Sequence, residues 1–127
     1  MKEQTEVGKL KEGRYVIIDD EVCVIKSITK SKPGKHGSAK ARIDAIGLFD
    51  GQKRSIVQPV SAKIYVPIVE RKTAQVLSIA GNVVQLMNMD DYSTFELTVP
   101  DEDIAKIKEG QEVPYLTGLG KMRLDVR

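Results

Sequence analysis

Almost no segment of this 127-residue chain repeats apolar residues at helical spacing, and that absence limits its possible folds more than any other feature. Short β-branched runs alternate instead with turn-forming residues, at the spacing of small all-β domains. Arg14-Tyr15-Val16-Ile17-Ile18 is closed by the polar turn Asp19-Asp20-Glu21, and Val22 to Thr29 reads as a second strand. Residues 39 to 46, Ala-Lys-Ala-Arg-Ile-Asp-Ala-Ile, alternate with period two, as a half-buried strand does. Asp50-Gly51 is a hairpin signal, followed by Lys53 to Val57 and Ala62 to Pro67. Five or six short strands with no long helix predict a small closed barrel over residues 1–68. Pro67 supports a boundary there, because it cannot donate to a continuing ladder.

The second block, residues 69–127, has its own punctuation. Thr73 to Ile79 and Val83 to Met87 flank Gly81-Asn82, and Asp90-Asp91-Tyr92 turns into Ser93 to Val99. Pro100 with Asp101, Glu102 and Asp103 predicts a helix start, with Ile104 and Ile107 on a buried face and Gly110 at its end. Val113 to Leu116 and Met122 to Val126 complete three strands, a short helix and two strands. That is the order of a five-stranded OB barrel, an order that other small barrels share.

Composition narrows the chemistry. No stretch approaches the ~20 apolar residues of a membrane span, and the polar residues Met1 to Val7 lack the apolar centre of a signal peptide. With Cys23 the only cysteine, no internal disulfide forms, which fits a cytoplasmic location. Cys23 and the single histidine, His36, cannot supply a structural zinc site, so no metal is expected. Residues 1–69 hold 13 Lys and Arg against 8 Asp and Glu, whereas residues 70–127 hold 7 against 10. Between Glu21 and Asp44 there is no acid, only Lys26, Lys30, Lys32, Lys35, Lys40 and Arg42. A basic run is ordinarily a solvated face. Its confinement to one predicted hairpin points to a polyanion such as RNA.

Catalytic roles find few takers. Asp19-Asp20-Glu21 reads as a polar turn and Asp101-Glu102-Asp103 as a complement to a helix dipole. Cys23 alternates with apolar neighbours and reads as a small buried hydrophobe. Gly34-Lys35-His36-Gly37 matches the Gly-x-x-Gly loop of KH domains, but that loop needs helices on both sides and here both flanks read as strands. No catalytic residue is assigned, and no small-molecule substrate is expected.

Ser31-Lys32-Pro33-Gly34-Lys35-His36-Gly37-Ser38-Ala39-Lys40 resembles the modification loop of the translation initiation factor 5A family, archaeal branch. The resemblance spans the chain and implies an N-terminal SH3-like basic barrel carrying loop 31–40, then an OB-fold domain. It implies that Lys35 is converted to hypusine or deoxyhypusine by an aminobutyl group derived from spermidine, with deoxyhypusine synthase as the modifying enzyme. Lys32, Pro33, Gly34, His36, Gly37 and Ser38 would form the rest of that loop. Where Ser38 stands, eukaryotic members carry a second histidine, so the aminobutyl transfer is implied more firmly than the later hydroxylation. The implied partners are the ribosome and the tRNA in its P site, where the lengthened side chain would favour peptide bond formation on poorly reacting sequences such as consecutive prolines. No cofactor is implied beyond that covalent group. Lys26, Lys30, Lys32, Lys40 and Arg42 would then contact RNA phosphates. Tyr92, Phe95 and Tyr115 are few aromatics for an OB-fold that stacks single strands, so a docking role is expected of the second domain. Two alternatives remain. One is a general RNA-binding module that needs no modification; the other, ranked last, is an enzyme such as a ribonuclease using His36 with a loop lysine.

Overall fold

The computed structural model describes residues 2–31 and 39–126. The chain divides into two compact units, Met1–Ile68 and Val69–Arg127. Each has a core of its own, and the fold is mainly β.

In the first unit, β1 (Lys2–Glu6), a single 3₁₀ turn (Val7–Lys9), β2 (Tyr15–Ile18), β3 (Glu21–Ser31), β4 (Lys40–Gly47), β5 (Lys53–Pro59) and β6 (Lys63–Pro67) follow in order. β2, β3, β4 and β5 form one antiparallel meander, while β1 pairs with β6. Asp19 and Asp20 both have positive φ, 53° and 61°. Ile18 faces Glu21 across them, so β2 and β3 are joined by a two-residue loop of the mirror-image kind that matches strand twist. Val16, Ile18, Cys23, Ile25, Ala41, Ile43 and Ala45 alternate inward to make the core, closed at one end by Val7 and Leu10. Polar β1, Lys-Glu-Gln-Thr-Glu, carries no apolar alternation. Its strand state comes from pairing with β6, from Lys2 opposite Pro67 to Glu6 opposite Lys63. This unit is the SH3-like barrel.

β3 contains a register shift. Ile25 faces Ala45 but Ser27 faces Asp44, so Lys26 is an extra residue on its strand. Because side chains alternate with period two, one inserted residue resets which face the following residues occupy. Ile28 is thereby returned to the core side, opposite buried Ile43.

The second unit runs β7 (Glu70–Ala80), β8 (Val83–Asn88), β9 (Thr94–Thr98), α1 (Asp101–Ile104), β10 (Glu112–Gly118) and β11 (Lys121–Leu124). The sheet order is β11-β10-β7-β8-β9, with the helix between the third and fourth strands, as an OB-fold requires. The helix is shorter than expected, one turn instead of a span to Gly110. After Ala105 the bonds tighten to i→i+3, with Lys106 N–H donating to Asp103 O and Ile107 N–H to Ile104 O. Gly110, at φ +85°, then gives its N–H to Val76 O at 2.7 Å, committing the chain to the sheet. Ile107 is buried and Ile104 packs against the same core, as expected of them. Tyr115 is core too: 2% exposed, its ring lies 5.1 Å from that of Phe95. Neither ring is therefore free for a binding face; of the three aromatics weighed, Tyr92 alone is exposed.

Candidate functional site

β3 and β4 are joined by the segment that the sequence singles out. Their pairing continues past the core to Ser31 opposite Lys40. The predicted loop residues Lys32, Pro33, Gly34, Lys35, His36, Gly37 and Ser38 lie outside the described residues. What the structure gives is the arm that carries them. It begins where fully buried Ile43 sits between half-buried Ile28 and Ile56, and ends in exposed Lys30, Ser31 and Lys40.

The basic residues of that arm do not share one surface. Arg42 faces Thr29 on β3 and Val57 on β5, and Lys40 faces Ser31 and Pro59, so both project from the outer face of the sheet. Lys30 is opposite buried Ala41 and belongs to the other face, where its Nζ donates to Gly8 O at 3.1 Å. Lys26 is the exposed bulge residue between them.

An acid that pattern reading passed over sits among these cations. Asp44 accepts from the hydroxyls of Ser55 and Ser27 and lies 3.4 Å from Arg42 Nε. The Ser55 hydrogen bond, followed by that from Ser27, holds its carboxyl below the usual range. Arg42 is thus partly compensated, while Lys40 has no acidic partner among the described residues. The signal was available: Asp44 follows Arg42 by two in an alternating strand, which puts both on one face.

At the opposite end of the sheet, Arg54 grips Asp50 with two bonds, 3.1 and 2.8 Å, across the Asp50-Gly51 turn. Its guanidinium also stands 4.0 Å from the Cys23 sulfur. Cys23 is fully buried, and burial pushes its thiol pKa up against the opposing pull of Arg54. A buried, protonated thiol is no nucleophile. Among the described residues there is no cluster of His, Cys, Asp and Glu able to hold a metal ion.

Comparison with known proteins agrees with this division. Residues 2–62 match the family described as "Translation initiation factor 5A-like, N-terminal", and residues 68–122 match "Eukaryotic elongation factor 5A hypusine, DNA-binding OB fold". Translation initiation factor 5A of Methanosarcina barkeri is 72% identical over 127 residues, covering 100% of this chain and 99% of that one. The chain belongs to the translation initiation factor 5A family. That of Archaeoglobus fulgidus is 66% identical over 125 residues, 98% of either chain. Among solved structures, translation initiation factor 5A from Methanococcus jannaschii superposes with a TM-score of 0.90 at 44% identity, covering 98% of this chain and 93% of that one. A family protein from Naegleria fowleri gives 0.79 at 34%, covering 97% and 95%. The translation initiation factor 5A family is one of translation factors, not enzymes. No helix among the described residues is long and apolar enough to cross a membrane.

Proposed function

We propose that this protein acts in the cytoplasm on the ribosome, beside the P-site tRNA, and promotes peptide bond formation on sequences that react poorly, such as consecutive prolines. Lys35 is the working group, carried as hypusine or deoxyhypusine after deoxyhypusine synthase transfers an aminobutyl unit derived from spermidine. The observation that carries this reading is Gly34-Lys35-His36-Gly37 in the segment joining β3 to β4, within a chain matching the family along both units.

The added unit lengthens the side chain and turns one cationic centre into two. Catalysis stays with the ribosome, and the factor contributes orientation of the reacting ends. Lys40 and Arg42 lie on the outer face at the base of the segment, and in this reading they would meet RNA phosphates.

The test has two parts. Peptide mass spectrometry across Lys35, on protein purified from its native organism, is expected to show an added aminobutyl unit, and an extra oxygen if hydroxylation follows. Reconstituted translation of a reporter with consecutive prolines is expected to speed up with modified protein and not with Lys35→Arg. Unmodified Lys35 in native protein, or equal stimulation by Lys35→Arg, overturns the reading in favour of an RNA-binding module that needs no modification.

A further inference from the structure

On the face of the first unit turned away from Lys40 and Arg42, two cavities adjoin. One, of about 480 Å³, lies between β1, the stretch after the 3₁₀ turn, and β2. The other, of about 440 Å³, continues from it towards the end of β3. Leu10 and Lys11 line both, so the two form one open groove that runs from Arg14 to Lys30, one residue before the end of β3.

Its walls carry Lys9, Lys11, Arg14 and Lys30 against Glu3 and Glu12. None of those four cations has a carboxylate within ion-pair distance among the described residues. Elsewhere in the unit, Arg42 pairs with Asp44, Arg54 with Asp50, and Lys63 with Glu6, whereas Lys40 shares the groove cations' lack of an acidic partner among the described residues. The main chain beneath three of the groove cations is itself hydrogen-bonded. Arg14 N–H donates to Lys11 O, closing a four-residue turn that brings the two residues' main chains together. Gly13 in that turn has φ +83° and gives its N–H to Ile25 O, while Ile25 N–H donates to Arg14 O. The turn is therefore bolted to β3. Lys9 ends a 3₁₀ turn anchored by Val7 N–H to Ala62 O and Gly8 N–H to Val60 O. Leu10, Val66 and Pro67 give the groove an apolar floor, with half-buried Tyr15 beside Arg14.

We propose that this groove is a second RNA-binding track, which takes a single-stranded phosphodiester backbone along Lys9, Lys11, Arg14 and Lys30. Cations without acidic partners, gathered along one groove, can neutralise phosphates and release their condensed counterions. An apolar and aromatic floor accepts ribose and base without reading sequence. The track lies apart from the outer face assigned above and does not depend on the state of Lys35.

The experiment uses the full chain made without modification, so its result is separable from that of the Lys35 tests. Binding of a fluorescent 12-nucleotide oligouridine is measured by anisotropy between 50 and 200 mM KCl. For the triple variant Lys9→Gln/Lys11→Gln/Arg14→Gln, loss of three phosphate contacts at about 0.7 each lowers the salt slope by about 2. Between those concentrations the wild type then loses about 20-fold more affinity than the variant. All three side chains are exposed, and an unchanged circular dichroism melt shows that the variant folds. Undetectable binding by the wild type, or a slope and affinity unchanged in the triple variant, overturns the proposal. So does stronger displacement by polyglutamate than by unlabelled oligouridine at equal charge, which would make an acidic polypeptide the occupant.

Discussion

Among the described residues, Asn88 is the one buried uncharged polar residue of the second unit, 7% exposed and beside Tyr115, and its replacement gives the most quantitative test of how that unit is held. Its side-chain amide donates to the Tyr115 hydroxyl at 2.6 Å. Its carbonyl accepts the N–H groups of Asp90 at 2.7 Å and Asp91 at 3.3 Å. Asn88→Ala removes all three bonds. The loop amides regain water, so their loss costs little. The Tyr115 hydroxyl cannot, and a buried polar group stripped of its partner costs about 1–3 kcal/mol. Adding about 1 kcal/mol for the loop bonds gives roughly 2–4 kcal/mol. Native-state hydrogen exchange at Val84 and Leu86 reads the second unit alone, and those core amides should exchange about 30- to 1000-fold faster. Tyr115→Phe alone should cost less, about 1–2 kcal/mol, since it strands only one amide hydrogen. Combining the two removes donor and acceptor together, so the double variant should be milder than the sum by about 1 kcal/mol. Additivity within about 0.5 kcal/mol would refute the view that this hydrogen bond, and not packing around it, sets the cost.

Asp44 gives a pH prediction. Its folded pKa is held below the unfolded value, so the stability it contributes is present above about pH 4 and is lost as pH falls through the lowered value. Asp44→Asn should therefore flatten the acid limb of the stability curve of residues 1–68 and leave its neutral limb parallel to the wild type, measured by urea unfolding from pH 2 to 7. At Gly47 an added Cβ would overlap the Asp50 carboxylate and crowd Arg54. Gly47→Ala should destabilise the first unit by about 1–3 kcal/mol, visible as a lower urea midpoint; a neutral effect would show that the Asp50–Arg54 clasp can move freely. Cys23 should resist a thiol reagent at neutral pH in native protein and react fully in denaturant. Rapid native labelling would contradict its burial.

β-branched runs closed by turn residues located β2 and β3, and period-two alternation located β4, whose inward face alone carries Ala41, Ile43 and Ala45. Alternation failed where the face is not what decides. Lys2 to Glu6 has no apolar alternation and becomes a strand through backbone pairing with β6, a long-range effect that local pattern does not carry. The helix after Pro100 had a good start signal, but its length depends on where Gly110 meets Val76, again a tertiary contact. The basic run Lys26 to Arg42 was legible as charge and not as geometry. The bulge at Lys26, undetectable in composition, decides that Lys30 leaves by one face and Arg42 by the other. Lys9, Lys11 and Arg14 drew no notice because Glu12 interrupts them in sequence, although folding gathers them on one groove.

The paired arm of β3 and β4 constrains how this protein can change. Beyond the bulge, strict pairing of Ser27 to Ser31 with Asp44 to Lys40 fixes which side chains sit on which face. Adding one residue to each strand at the end of the arm would swap the faces at the base of the Lys35 segment, whereas two per strand would preserve them. The distance to which the barrel extends this segment is therefore adjustable only in increments of about 7 Å. Finer tuning of the reach must come from outside the polypeptide ladder, and the chemical extension proposed at Lys35 would supply a change smaller than one such step.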